Sequence, residues 1–253
     1  MSGRPTGATD RRIKALPPDS LSPAAFSFIA QVEQVYASLM HSAAPGEASL
    51  GGKLLYAGEL DEPGRTLAVA GNIAGAATLA ASADSVALRQ AMREGVIDFL
   101  VNSLDEALRI LKNEIRKRQP VAVAVSVAPE TIVKEMLDRG ILPDLLPPLL
   151  QTSPTEPAFA AFLARGAQRI AAPPSRPGSK FLIWPIPAEF AQHPAGFDAM
   201  LLKLISPDDL GTGRWLRLSP RYLGQQARRL RALTCDAETA SRLIDVLGQP
   251  LEP

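Results

Sequence analysis

Val121-Ala-Val-Ala-Val-Ser-Val127 is the stretch that decides the fold. A run of valines and alanines with no polar face predicts a strand buried on both sides, as in the middle of a parallel sheet. The pattern repeats outward from it. Lys53 to Gly58, Ala77 to Ala81 and Ile97 to Val101 predict further short strands. Between the strands lie helical stretches at about Thr66 to Gly75, Val86 to Glu94 and Leu104 to Arg118. Ser103 and Glu106 have capping-box spacing at the start of the last of these. Pro129 opens one more helix, which stops at Arg139-Gly140. Strands alternating with helices predict a parallel α/β sheet flanked by helices.

The flanks divide the chain. Residues 1–20 read as a flexible N-terminal arm, 21–157 as the α/β core and 158–253 as an α-rich C-terminal region. A helix starts at Ser22-Pro23 and keeps Phe26, Ile29, Val32, Val35, Tyr36 and Leu39 on one face. Ile141 to Leu150 holds a strand or turn. Beyond it come a helix at Ala158–Ala167, a Pro/Arg/Gly linker, an apolar strand at Phe181–Ile186, and helices near Pro187–Gln192 and Gly196–Leu204. Helices around Pro220–Leu233 and Ala237–Leu247 close the chain. This region is expected to pack on the core or to form a small second domain.

Composition excludes several classes. The 253 residues are 46% hydrophobic and carry a net charge of +1, which gives no global pull toward nucleic acid or membrane. The single cysteine, Cys235, rules out an intrachain disulfide and a cysteine-based zinc site. Its expected state is an idle, buried thiol. No signal peptide is read, and the longest apolar run is broken by Gly71, Asn72 and Gly75. A cytoplasmic protein is expected. His41 and His193 are expected in separate loops, which supports neither a metal site nor a Ser/His/Asp triad. No catalytic residue is assigned. Arg214, Arg217, Arg221, Arg228, Arg229 and Arg231 occur with no acidic residue between Leu210 and Cys235. They are a candidate phosphate or nucleic-acid surface. Set against this are a solvated helix face or pairing to acids elsewhere, and the small net charge disfavours nucleic acid.

An ordered set of short motifs resembles the NAD-binding domain of urocanase (urocanate hydratase). Leu50 to Gly58 is similar to that domain's first strand, and Leu67 to Ala77 to its Ala/Gly-rich helix. Asn102-Ser-Leu-Asp-Glu-Ala-Leu108 resembles the family's Asp-Leu-Asp-Glu-Ala-Leu helix start. Arg139 to Asp144 fits its R-G-x-x-P-D exit. Gln151-Thr-Ser153 and Pro157 line up with D-Q-T-S-A-H-D-P. The resemblance implies a Rossmann-like fold. It covers roughly residues 50 to 157, and residues 1–49 show no equivalent of the family's N-terminal substrate-binding portion.

The departures fall on chemistry. Urocanases carry G-G-M-G-G-A-Q after the first strand, whereas this chain has Gly58-Glu-Leu-Asp-Glu-Pro-Gly-Arg65. A dinucleotide site needs glycines and free N–H groups at a helix start, and three carboxylates there oppose a pyrophosphate. Val127 and Ala128 replace the family's Gly-Asn, and Leu150, Thr155 and Glu156 replace its Asp, His and Asp. The candidate ligand crevice therefore comprises Gly58, Gly64, Arg65, Asp84, Ser126, Gln151, Thr152 and Ser153. Asp84 stands where a ribose-binding acid would, but reads better as a helix cap. No cofactor is expected, and NAD in the family manner is disfavoured. The expectation is a non-catalytic binding or scaffolding module, a homodimer, with an unidentified small ligand or protein partner. The competing readings are an enzyme or sensor holding a nucleotide or other small ligand at the strand carboxyl ends, and a phosphate or nucleic-acid binder.

Overall fold

The computed structural model describes residues 23–44, 46–148, 156–172, 178–224 and 229–251. A six-stranded parallel sheet forms the centre: β1 (Leu54–Glu59), β2 (Ala77–Ala81), β3 (Phe99–Val101), β4 (Val121–Val125), β5 (Leu145–Leu146) and β6 (Gln168–Arg169). Their spatial order is β3-β4-β2-β1-β5-β6, and every pairing is parallel. The expected Val121–Val127 strand ends at Val125, and all five of its residues are buried. The expected Rossmann-like α/β architecture is the one observed.

Strand alternation separates two cores. Tyr56, Leu79, Val121, Val123 and Val125 face one side, against α4 (Leu104–Lys117), α5 (Pro129–Asp138) and α6 (Glu156–Ala164). Leu55, Ala57, Ala80, Ala122 and Ala124 face the other, against α2 (Glu62–Ala74) and α3 (Ser85–Arg93). Small side chains on this second face let α2 come close. A Cβ on Gly71 would lie 2.7 Å from Thr78 Oγ1 and 2.8 Å from Leu55 Cδ2.

A further layer covers α2. It comprises α1 (Pro23–His41), α7 (Pro194–Leu204), α8 (Leu210–Tyr222), α9 (Ala237–Leu247) and an antiparallel pair, β7 (Lys180–Pro185) and β8 (Leu230–Cys235). Its Leu182, Trp184, Trp215 and Leu233 belong to the same buried cluster as α2. The C-terminal region thus packs on the core.

Three local expectations are corrected. The helix expected at Thr66 starts at Glu62, because Asp61 caps it and Pro63 fits its first turn. No helix spans Pro220–Leu233. Pro220 lies in the last turn of α8 rather than starting a helix, since burial of Trp215, Leu216 and Ser219 holds α8 upstream. Leu230–Cys235 is instead a strand, paired with a segment some fifty residues earlier. His41 is the last residue of α1, not a loop residue.

Because Gly71 sits where no side chain fits, Gly71→Ala should destabilise the protein by about 1–3 kcal/mol despite alanine's better helix propensity. Urea unfolding of the two proteins measures this.

Candidate functional site

The strand order reverses between β1 and β5: β1 leads to β2 on one side, and β5 to β6 on the other. Open α/β sheets bind ligands outside the strand carboxyl ends at such a point. The described crevice candidates all lie along that carboxyl edge, but not as one cluster. Gly58 sits at a register shift in β1 with φ +82°, and a Cβ there would lie 3.9 Å from Pro147 Cγ, just past β5. Ser126 follows β4, two strands from β1, a lateral step of about 10 Å. Gln151, Thr152 and Ser153 lie outside the described residues.

The turn after β1 is self-contained. Asp61 Oδ1 accepts the Gly64 N–H at 2.9 Å, and the Arg65 N–H donates to Asp61 O at 2.9 Å. Pro63 has no N–H to offer. A Cβ on Gly64 would fall 1.8 Å from Glu59 O, so the backbone folds back onto the helix start and only glycine fits. Gly64 and Arg65 are first-turn helical residues rather than loop residues. Arg65 pairs with Glu94, at the end of α3. The carboxylates that would oppose a phosphate have a local use: Asp61 caps the helix, and Glu62 sits in its first turn, where negative charge is favoured.

Asp84 also caps. Its Oδ1 accepts from the Val86 and Ala87 N–H groups at 2.8 and 3.2 Å. Ser126 Oγ donates to Asn102 Oδ1 at 2.9 Å, joining the ends of β4 and β3. The Asn102 N–H donates to Glu106 Oε2 at 2.9 Å, and Ser103 Oγ accepts from the Glu106 N–H.

The C-terminal arginines do not form one surface. Arg214 Nε donates to Ile73 O at 2.6 Å, placing a cation on the C-terminal end of α2. Arg231 is buried, and its guanidinium is paired with Asp198. Arg221 lies over the Tyr222 ring, 5.2 Å from its centroid. Arg217 and Arg229 are exposed, and Arg228 lies outside the described residues.

One large concavity lies elsewhere, with a volume of about 650 Å³. It opens between α1, the loop after it, the first turn of α8 and the end of β8. Glu33, Tyr36, His41, Asp209 and Thr234 line it. None was singled out as a site from sequence. The available signal was a glutamate at position 33, beside the apolar stripe of the first helix. Burial raises the Glu33 carboxyl above its ordinary value, and hydrogen bonding from Thr234 offsets part of that. Cys235, buried nearby, has its thiol pushed up to about 11 by burial, with Asp236 adding to it. Among the described residues, no group of three or more His, Cys, Asp or Glu could hold a metal ion. No described helix is long and apolar enough to cross a membrane.

A parallel sheet whose order reverses beside a capped first helix defines a Rossmann-like α/β protein. The family model of the urocanase Rossmann-like domain matches residues 32–165, just over half of the chain. The chain belongs to the urocanase family through this domain. The match runs from within α1 to the residue after α6 and leaves β6 to α9 outside it.

Asp61→Ala should cost about 1 kcal/mol through loss of the cap. Gly64→Ala should cost more, since its clash is with backbone. Equal and negligible losses for both in denaturant titrations would contradict this geometry.

Proposed function

We propose that this urocanase-related chain is a non-catalytic binding or scaffolding module that does not hold NAD in the family manner. The observation that carries the reading is the start of α2. A dinucleotide pyrophosphate is gripped by free N–H groups at that place. Here the Gly64 N–H is taken by Asp61, the Arg65 N–H by a backbone carbonyl, and Pro63 has none. Displacing Asp61 would uncap the helix and still leave Glu59 and Glu62 in the same turn. The capping role of Asp84 supports the same reading, because its carboxylate is engaged by two backbone N–H groups rather than open to a ribose.

Calorimetric titration with NAD should show no binding tighter than about 1 mM, equivalent to about 4 kcal/mol. Urocanate should not turn over in the presence of NAD. Saturable micromolar binding together with turnover would refute the proposal.

The module acts as a cytoplasmic homodimer in this reading. Support for the dimer comes from the sheet edge. β3 is the terminal strand, Phe99 on it is 46% exposed, and Val86 and Met92 of the neighbouring α3 are exposed too. Light scattering should report a dimer that Phe99→Glu converts to monomer. A wild-type monomer at high protein concentration would remove this part.

A further inference from the structure

We propose that the cleft between α1, α8 and β8 binds a small organic cation, a primary ammonium carried on a short apolar body. The site is separate from the crevice at the strand carboxyl ends. The loop after α1 leads into the amino end of β1, and Glu47 in that loop pairs with Arg118, which shortly precedes β4. One rim of the cleft therefore reaches the amino edge of the sheet.

The shape comes first. A volume of about 650 Å³ lies within the range that holds small ligands. Helix α1 turns a single face into it: Glu33, Tyr36, Ala37, Met40 and His41 follow one another at helical spacing. Ala37 and Met40 supply an apolar wall long enough for a short alkyl or aryl body.

The charge comes second. Four carboxylates line the cleft, Glu33, Glu47, Asp208 and Asp209, and neither Lys nor Arg does. Three of the four are engaged or in water: Glu47 by Arg118, Asp209 by the Thr212 N–H that it caps at 2.9 Å, and Asp208 exposed to solvent. Glu33 differs from them. It is half-buried on the core side of α1, and among the described residues neither Lys nor Arg forms an ion pair with it. A carboxylate drawn out of water costs free energy unless a cation or enough donors meet it. Thr234 meets it in part. A ligand ammonium entering along Ala37 and Met40 would complete the set with a charge-assisted hydrogen bond.

The aromatic groups at the base do not compete for the ligand's polar end. Tyr36 O–H donates to Gly211 O at 2.8 Å, and Trp215 Nε1 donates to Ala232 O at 2.6 Å. Their polar atoms are committed to backbone, and their rings pack 5.2 Å apart. Selection between ligands then falls to Glu33, which favours a positive end over a neutral or negative one. The inference extends the binding reading above to a second place on the molecule.

The test uses the full chain and three probes of matched length, hexylammonium, hexanol and hexanoate, followed by calorimetry and by amide chemical shifts. Hexylammonium should bind about tenfold or more tighter than hexanol, and hexanoate should not saturate. Shifts should fall on residues 33–47, 208–212 and 234. Glu33→Gln should bring hexylammonium down to the affinity of hexanol. Should that variant not fold, the ranking and mapping on the wild-type chain decide alone. The proposal is overturned if hexanoate binds as well as hexylammonium, if the three bind alike or none saturates, if the shifts map elsewhere, or if Glu33→Gln keeps the wild-type preference. NAD binding at the carboxyl edge would refute the non-catalytic reading and leave this result standing. Failure of the amine to bind would do the reverse.

Discussion

Helix α2 is packed from both sides, and this constraint organises the molecule. On the sheet side, Gly71 lets the helix backbone approach Leu55 and Thr78 to a distance no side chain would permit. On the other side lie α1 and α8. Ten of its thirteen residues are buried, so α2 behaves as a core element rather than a surface helix. Its C-terminal end receives Arg214 from α8, which ties the C-terminal region to the family domain through a partly buried cation on a backbone carbonyl. Close packing makes such an arrangement intolerant of even one added methyl group.

The same helix carries the phosphate-gripping end in dinucleotide-binding relatives of this fold. Here the Gly64 N–H at that end is held by the Asp61 carboxylate, and Pro63 has no N–H to offer. Asp61, Pro63 and Gly64 together make a capped helix start. The acidic residues that look hostile to a pyrophosphate in the sequence have an architectural use, as cap and first-turn charge. A helix cap and an anion draw on the same kind of backbone N–H group, and here the cap holds that of Gly64.

Much of the core was legible because its signals are local. The Ser103 and Asp84 caps and the Arg139-Gly140 stop each depend on contacts within a few residues, and the Val121 strand shows in its own unbroken apolar run. Ser126 follows β4 directly, and its bond to Asn102 needs the pairing of β3 with β4 to bring the two together. The start of α2 lies four residues ahead of the expected one because Asp61 serves as a cap, a use that its setting among other carboxylates conceals in the sequence. The segment from Pro220 to Leu233 differs most from its local pattern. A proline there looks like a helix start, yet buried Trp215 and Leu216 hold the helix ahead of it, and Leu230–Cys235 finds its partner in β7.

By itself the sequence determined the alternation of strands and helices, their caps and the family of the domain, since periodicity and capping are short-range properties of a chain. Only the tertiary structure decided which arginines are spent inside the fold, that β8 is a strand, and that one face of α1 meets the start of α8 around a half-buried Glu33. Those outcomes depend on residues far apart in the chain, as with Arg231 and Asp198 or Tyr36 and Gly211. Whether a charge is solvated, paired or left facing a cleft is set by what packs against it, and no local pattern encodes that.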